Sequence, residues 1–270
     1  MKKILSCLAV LVMGAGILTG CVNNGTSSDT FVVGMECNYA PWNWTQSVAS
    51  DTAVAIDGGQ YCDGYDVQVA RQLAESMGKE LVIKKTSWDG LILALQAGEI
   101  DAIIAGMSPT AERKEEIDFS DPYFLGSFGM MVQADGPYKD ATSVKDFSGA
   151  RVTAQMGTFH VELMDQLTGA SLQAPMKDFP TMTVALQAGE IDAYVAEEST
   201  GKTIPKTNPD LKYVPIADFV VDESMAAVSV GIKKGNTELL NQVNEALSKI
   251  TTEQRSQLMD AAIDRQSQGE

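Results

Sequence analysis

Apolar residues along this chain alternate between short continuous runs and helical stripes. Phe31-Val32-Val33-Gly34-Met35 is a run of strand length, and Leu81-Val82-Ile83 is a second. Between them Val67, Ala70, Leu73, Ala74 and Met77 recur at three- and four-residue spacing, which predicts a helix over 65–77 that stops at Gly78. Trp88 to Gln96 carries the same stripe through Leu91, Ile92 and Leu95, and the strand Ala102-Ile103-Ile104-Ala105 follows. Arg151 to Ala154 and Ala193 to Ala196 predict further strands, while Thr158 to Leu167 and Met182 to Gln187 predict helices. Leu239 to Ile250 and Thr252 to Ile263 read as two amphipathic helices. Strands alternating with helices specify an α/β fold of mostly parallel sheets covered on both faces.

An internal repeat refines that picture. Ala-Leu-Gln-Ala-Gly-Glu-Ile-Asp-Ala occurs at 94–102 and again at 185–193. Each copy is a helix end, a glycine, and the entry to a short apolar strand with polar residues just beyond it. The spacing is too long for a solenoid repeat and implies two similar lobes. Open α/β sheets bind ligands beyond the carboxyl ends of their strands, so two such ends facing each other would form a cleft. The expected division is 31–130 plus 227–270 for lobe one and 131–226 for lobe two. The apolar stretch Met130-Met131-Val132, free of Gly and Pro, suits a strand crossing between them.

Charge narrows the partners. The chain has 20 Lys and Arg against 36 Asp and Glu, a formal charge of −16, with no basic block after residue 3. Nucleic acid is therefore not an expected partner, since phosphate binding needs a basic footprint. At the N-terminus Lys2 and Lys3 precede an apolar stretch from Ile4 to Ile17, which ends Leu18-Thr19-Gly20-Cys21. This resembles the leader and lipobox of bacterial lipoproteins and implies removal of 1–20 and a lipid on Cys21. Residues 21–30, rich in Asn, Ser, Thr and Gly, would form a flexible tether. The resemblance implies attachment to the outer face of the cytoplasmic membrane. Cys37 and Cys62 remain as a possible disulfide, the alternative being two buried free thiols.

A second resemblance covers essentially all of 31–270. The run from Gly98 through Gly106-Met107-Ser108-Pro109-Thr110 to Arg113-Lys114, then Ile117-Asp118-Phe119-Ser120-Asp121-Pro122-Tyr123, resembles the signature of the polar amino-acid solute-binding proteins of ABC importers. Tyr39-Ala40-Pro41-Trp42, Gly64-Tyr65-Asp66-Val67 and Gln155-Met156-Gly157-Thr158 add to it. It implies a monomeric two-lobed periplasmic-binding-protein fold of type II that closes on a free L-amino acid. The amino acid would then pass to a permease with its ATPase.

The residues suit such a ligand. Arg113 can grip a carboxylate through two parallel N–H···O bonds, aided by the backbone N–H groups following Gly157 at Thr158 and Phe159. Glu197 is the candidate for the ammonium; the family usually has Asp there. Gly106, Met107 and Ser108 supply the facing loop. Tyr39 and Trp88 match positions that sandwich the ligand side chain, and Trp42 joins them, whereas Trp44 reads as core. Glu36, directly after the first strand, would meet a distal cation, which favours arginine or lysine; glutamine is the alternative, because Glu36 can also accept from an amide. No cofactor or metal is expected, as no HExxH or CxxC spacing occurs. The competing readings are a dehydratase-like enzyme using Glu197 and Glu198, an amino-acid sensor on the same fold, and an adhesin with no small ligand. His160, the only histidine, reads as a surface residue at a helix start.

Overall fold

The computed structural model describes residues 29–266. The expected leader, Cys21 and the tether up to residue 28 lie outside the described residues. Two five-stranded sheets of identical topology form the two lobes. The first runs, in spatial order, Glu80–Lys85, Thr30–Met35, Ala102–Ile103, Ala227–Lys233 and Ile117–Leu125. The second runs Ser171–Leu172, Arg151–Thr153, Ala193–Glu197, Phe128–Gln133 and Leu211–Pro215. In each, three parallel strands meet a fourth that runs against both of its neighbours. Phe128, Gly129 and Met130, expected in lobe one, are strand residues of the second sheet. Phe128 already pairs with Glu197, so the chain must finish crossing before it.

Both faces of the first sheet are covered. Phe31, Val33 and Met35 pack with Val67, Ala70 and Leu73 of helix Tyr65–Ser76 and with Val243 and Leu247 of helix Thr237–Ser248. Leu91 and Leu95 cover the other side against Ile103 and Ile117. Val152, Ala154, Leu163 and Val195 centre the second lobe. Burying side chains of this size is worth roughly 1.5–3 kcal/mol each and supplies most of the folding drive. A small antiparallel sheet of Asn38–Tyr39, Asn43–Gln46, Gln60–Asp63 and Val54–Ile56 adds to lobe one. Its strands of two to four residues are too short to show a two-residue period in the sequence.

The repeated nonapeptide does the same work twice. Gly98 and Gly189 sit at φ 75° and 69°, ending their helices in the left-handed conformation. Ile100 and Ile191 are buried behind them. Asp101 then donates its N–H to the Val32 carbonyl and takes the Val32 N–H on its carboxylate at 2.8 Å. Asp192 makes the identical pair with Arg151, 2.8 Å in each direction, and adds two bonds from the Arg151 guanidinium. Each aspartate thus closes the gap where a strand starts beside its neighbour. The Arg151 hydrogen bond chiefly holds the Asp192 carboxyl below its usual value.

Two local expectations are corrected. The helix expected over Thr158 to Leu167 is only His160–Met164, because Thr158 and Phe159 form the turn that enters it. Trp88 to Gly90 is a tight 3₁₀ turn, and the α-helix begins at Leu91. Of the two alternatives for Cys37 and Cys62, the structure shows the free thiols, both fully buried, and not the disulfide. Burial pushes the Cys62 thiol well up, aided by the neighbouring Cys37, away from the thiolate that disulfide exchange requires.

Removing either aspartate orphans a backbone N–H, so Asp101→Ala and Asp192→Ala should each cost about 1–3 kcal/mol in urea denaturation. Equal stability to the parent would show the grips are incidental. Thiol titration of the unfolded 22–270 protein should count two reactive cysteines; none would restore the disulfide.

Candidate ligand-binding site

The carboxyl ends of the two sheets face each other across the lobe interface. Strand Thr30–Met35 delivers Glu36, and Ala102–Ile103 delivers the loop through Gly106 to Ser108. From the other lobe, Arg151–Thr153 delivers Gln155 and Gly157, and Ala193–Glu197 ends on Glu197 itself. Tyr39, Trp88, Gly106, Ser108 and Arg113 line a narrow cavity from lobe one; Thr158, Phe159 and Glu197 line it from lobe two. Gln155 and His160 join them. The free space is about 10 Å³, no more than one water requires. An amino acid enters only when the lobes part.

Arg113 lies in helix Ala111–Glu116, capped by the Thr110 hydroxyl that accepts from the Arg113 N–H. Its guanidinium donates to the Ser108 carbonyl at 2.9 Å and to the Gly157 carbonyl of lobe two at 3.0 Å. The Trp88 ring lies beneath it, 5.0 Å from centroid to Cζ, and Trp88 Nε1 donates to the same Gly157 carbonyl. Burial lowers the guanidinium to about 10, still cationic at neutral pH. Gly157, at φ 71°, has no room for a side chain: a Cβ would stand 2.9 Å from the Asp89 carboxylate. Gly106, at φ 64°, has the same constraint against the Tyr39 ring.

Beneath Gly106 lies Asp66, fully buried. It accepts from Tyr123 Oη at 2.7 Å, Asn43 Nδ2 at 2.8 Å and the Gly106 backbone. Burial outweighs these bonds and pushes its carboxyl up to about 7. Ser108 donates its hydroxyl to the Met225 carbonyl at 2.8 Å, tying the loop to the return crossing between lobes.

Glu197 is buried, and both its oxygens are engaged. Oε2 accepts from the Tyr39 hydroxyl of lobe one. Oε1 lies 3.0 Å from His160 Nε2. Burial works to raise this carboxyl, but the charge and hydrogen bond of His160, with that of Tyr39, outweigh it, and the group sits below its ordinary value. His160 is therefore buried, 2% exposed, against the surface position expected for it. Glu36, equally buried, faces Gln155 Nε2 at 3.3 and 3.4 Å. Burial is the largest cause that pushes it up to about 7, with Asp178 and Asp89 adding and Gln155 opposing.

Other expectations shift. Tyr39 is stacked on both faces, by Trp42 at 6.0 Å and by Phe179 of lobe two at 4.7 Å, so in this conformation it presents its hydroxyl edge to the cavity. Trp42 is wholly buried behind Tyr39 against Tyr65 and Phe124, outside the lining. Met107 packs into the lobe-one core. The Thr158 hydroxyl is spent on the Gln155 carbonyl. Trp44 is core, as its position implied. The paired acids of a dehydratase do not form: Glu198 turns away to Ser127 and Lys202 and faces a separate space of about 620 Å³ behind the crossing strands. Sequence reasoning missed His160, Gln155 and Phe179 as parts of the cleft; the first two follow Gly157 or precede it within five residues, and that proximity was the available signal.

Among the described residues no cluster of three or more His, Cys, Asp or Glu could hold a metal ion. No helix among them is long and apolar enough to cross a membrane.

Comparison with known proteins agrees with this geometry. Residues 31–261 match the family described as bacterial extracellular solute-binding proteins, family 3. The L-cystine-binding protein of Escherichia coli K12 is 30% identical over 233 residues, covering 86% of this chain and 81% of that one. A probable histidine-binding protein of Campylobacter jejuni is 31% identical over 221 residues, covering 78% and 80%. A crystal structure of a Streptococcus pneumoniae amino-acid ABC transporter substrate-binding protein with L-arginine superposes with a TM-score of 0.75 at 26% identity, over 88% of this chain and 96% of the other. These relatives are solute-binding proteins of ABC transporters, not enzymes. With the two-lobed fold shared and a match over nearly the whole described chain, this protein belongs to the bacterial extracellular solute-binding proteins, family 3.

Proposed function

We propose that this protein captures a free L-α-amino acid with a positively charged side chain, arginine or lysine, and presents it to an ABC permease and its ATPase. The observation that carries the reading is the placement of three buried ionisable groups at the lobe interface, Arg113 and Glu197 lining the cavity and Glu36 behind its Gln155 wall. Arg113 offers donors for an α-carboxylate, Glu197 accepts from an α-ammonium, and Glu36 stands apart beside Gln155 for the distal group. A free amino acid carries the complementary set. Ser108 retains acceptor capacity toward the ammonium, and the Trp88 face stacks on cationic groups. Cys21 serves as the lipid anchor on the outer face of the cytoplasmic membrane once 1–20 are removed, and the chain works as a monomer.

Closure is a hinge motion about two crossings. Gly126 N–H donates to the Ala226 carbonyl where the strands run side by side, and Glu198 N–H donates to Ser127. Ligand shifts the open–closed balance only through contacts made in the closed form. Those contacts replace bonds that the lobes make with each other here, Tyr39 to Glu197 and Arg113 to Gly157. Glutamine is a second reading, favoured by one observation: Glu36 at about 7 is partly protonated at neutral pH and can pair with a neutral amide.

A thermal-shift panel of the common L-amino acids on the 22–270 protein should show its largest shift with arginine or lysine. A ligand at about 1,000 times its Kd adds about 4 kcal/mol. A shift with glutamine alone selects the second reading, and no shift with any amino acid refutes both. Glu36 also fixes a pH dependence. A cationic side chain favours its ionised form, so binding releases a proton and affinity for arginine or lysine should rise from pH 6 to pH 8. Calorimetry should show that rise in the parent and a flat profile in Glu36→Gln; a parallel rise in both would remove Glu36 from the site.

A further inference from the structure

The two partners of Glu197 differ in kind. Tyr39 stands across the cleft, so its bond breaks whenever the lobes separate. His160 belongs to the same lobe as Glu197 and travels with it. Its ring is packed edge-on among Phe128, Phe159 and Phe179, with centroids at 5.6, 4.8 and 6.3 Å. All three are lobe-two residues, so opening leaves this cage intact. An ionised carboxylate only accepts hydrogen bonds, so His160 Nε2 is the donor at 3.0 Å. That bond pins Oε1 from within lobe two and turns Oε2 toward lobe one, where the Tyr39 hydroxyl marks the place of a donor.

We propose that His160 is a specificity-determining positioning residue. It holds the Glu197 carboxyl aimed at the cleft, so that one oxygen is exchanged between the Tyr39 hydroxyl and the α-ammonium of the incoming ligand. The inference deepens the amino-acid reading above and rests on it. Without His160, Glu197 keeps its burial but loses its main counterweight. Burial then raises the carboxyl with less to oppose it, and its preference for an ammonium over an apolar group weakens. The charged and titratable groups around Glu197 are His160 and Tyr39 at its oxygens, Tyr213 on strand Leu211–Pro215, Glu198 next in the chain, and Arg113 across the same cavity. Among these, His160 is the one hydrogen-bond donor that meets a Glu197 oxygen from within its own lobe.

The test compares L-arginine and L-glutamine, each with its counterpart lacking the α-amino group, by calorimetry on the 22–270 protein. Taking the ratio of the two affinities cancels the contribution of Glu36, since both probes share the side chain. The parent should prefer the amino acid by about 100-fold or more, as sites built around a hydrogen-bonding group reject analogues that lack it. His160→Met, which fills the cage without a donor, should cut that ratio about tenfold at pH 6.5 and by less at pH 8.5, the direction expected when a buried carboxylate loses its donor. His160→Gln, whose Nε2 reaches the same place, should keep the ratio within about threefold. An unchanged ratio in His160→Met, or equal losses for both probes at both pH values, would overturn the role of His160. A measurement on the parent protein stands beside the variants. Its one histidine gives one set of imidazole NMR signals, which should shift with the amino acid and not with the deamino probe; equal responses would also overturn the role. Failure of the parent to bind any amino acid refutes the underlying reading instead, and is seen before any His160 variant is made.

Discussion

Charge buried at the mouths of two sheets is the constraint around which this molecule is arranged. Glu36, Asp66, Arg113 and Glu197 are each nine-tenths or more removed from solvent. An unpaired buried charge costs several kcal/mol, so each must be met by fixed partners or by a proton. The partners come from wherever the fold can supply them. Arg113 uses carbonyls from both lobes, Glu197 uses a hydroxyl from one and an imidazole from the other, and Asp66 uses three donors within lobe one. Glu36 has long contacts from Gln155 and a bond from Asn38, too little to offset its burial, and is pushed up. The contrast between the two glutamates is physical: equal burial, unequal partners, and opposite displacement of the carboxyl.

The scaffold makes such a site possible because its two halves are built alike. Identical strand order puts a carboxyl end of each sheet at the shared boundary. The repeated Gly-Glu-Ile-Asp turn secures the neighbouring strand in both, through Asp101 and Asp192. Lobe one adds the small antiparallel sheet, which carries Tyr39 forward and packs Trp42 behind it. Asp66 then links that sheet through Asn43 to Gly106 and Tyr123. One face of the cleft is thus rigidly braced. The other is joined to it through two chain crossings, and the side chains that meet across the cleft and behind it part when the lobes move.

The bonds that close the cleft use the groups proposed to recognise ligand. Tyr39, Arg113, Trp88 and Gln155 all bridge the lobes directly. Ligand binding is therefore an exchange of partners, in which the gain is the difference between bonds to ligand and bonds between lobes. Such exchange favours selectivity over raw affinity, because a ligand that fails to replace one bond leaves a buried group unpaired.

Much of this was legible in the chain alone. Helical stripes ending at glycine, short apolar strands and the nine-residue repeat determined two α/β lobes, because those patterns are local and set by burial on one face. Arg113 and Glu197 were legible from their places in the chain: one in the first turn of the helix that follows a strand-end loop, the other at a strand's last residue, where α/β sheets place ligands. Their surroundings were not. His160 looks exposed in the sequence, and only the approach of Phe128 and Phe179 from distant segments buries it. Tyr39 and Trp42 are near neighbours in the chain, yet only the packing of Phe179 decides that one borders the cleft while the other lies behind it. Cys37 and Cys62 form an even pair by count, but the fold keeps them as buried thiols. Sequence determined which groups stand at the ends of which elements. Tertiary structure decided their burial and partners, because desolvation and hydrogen-bond geometry depend on residues far apart along the chain.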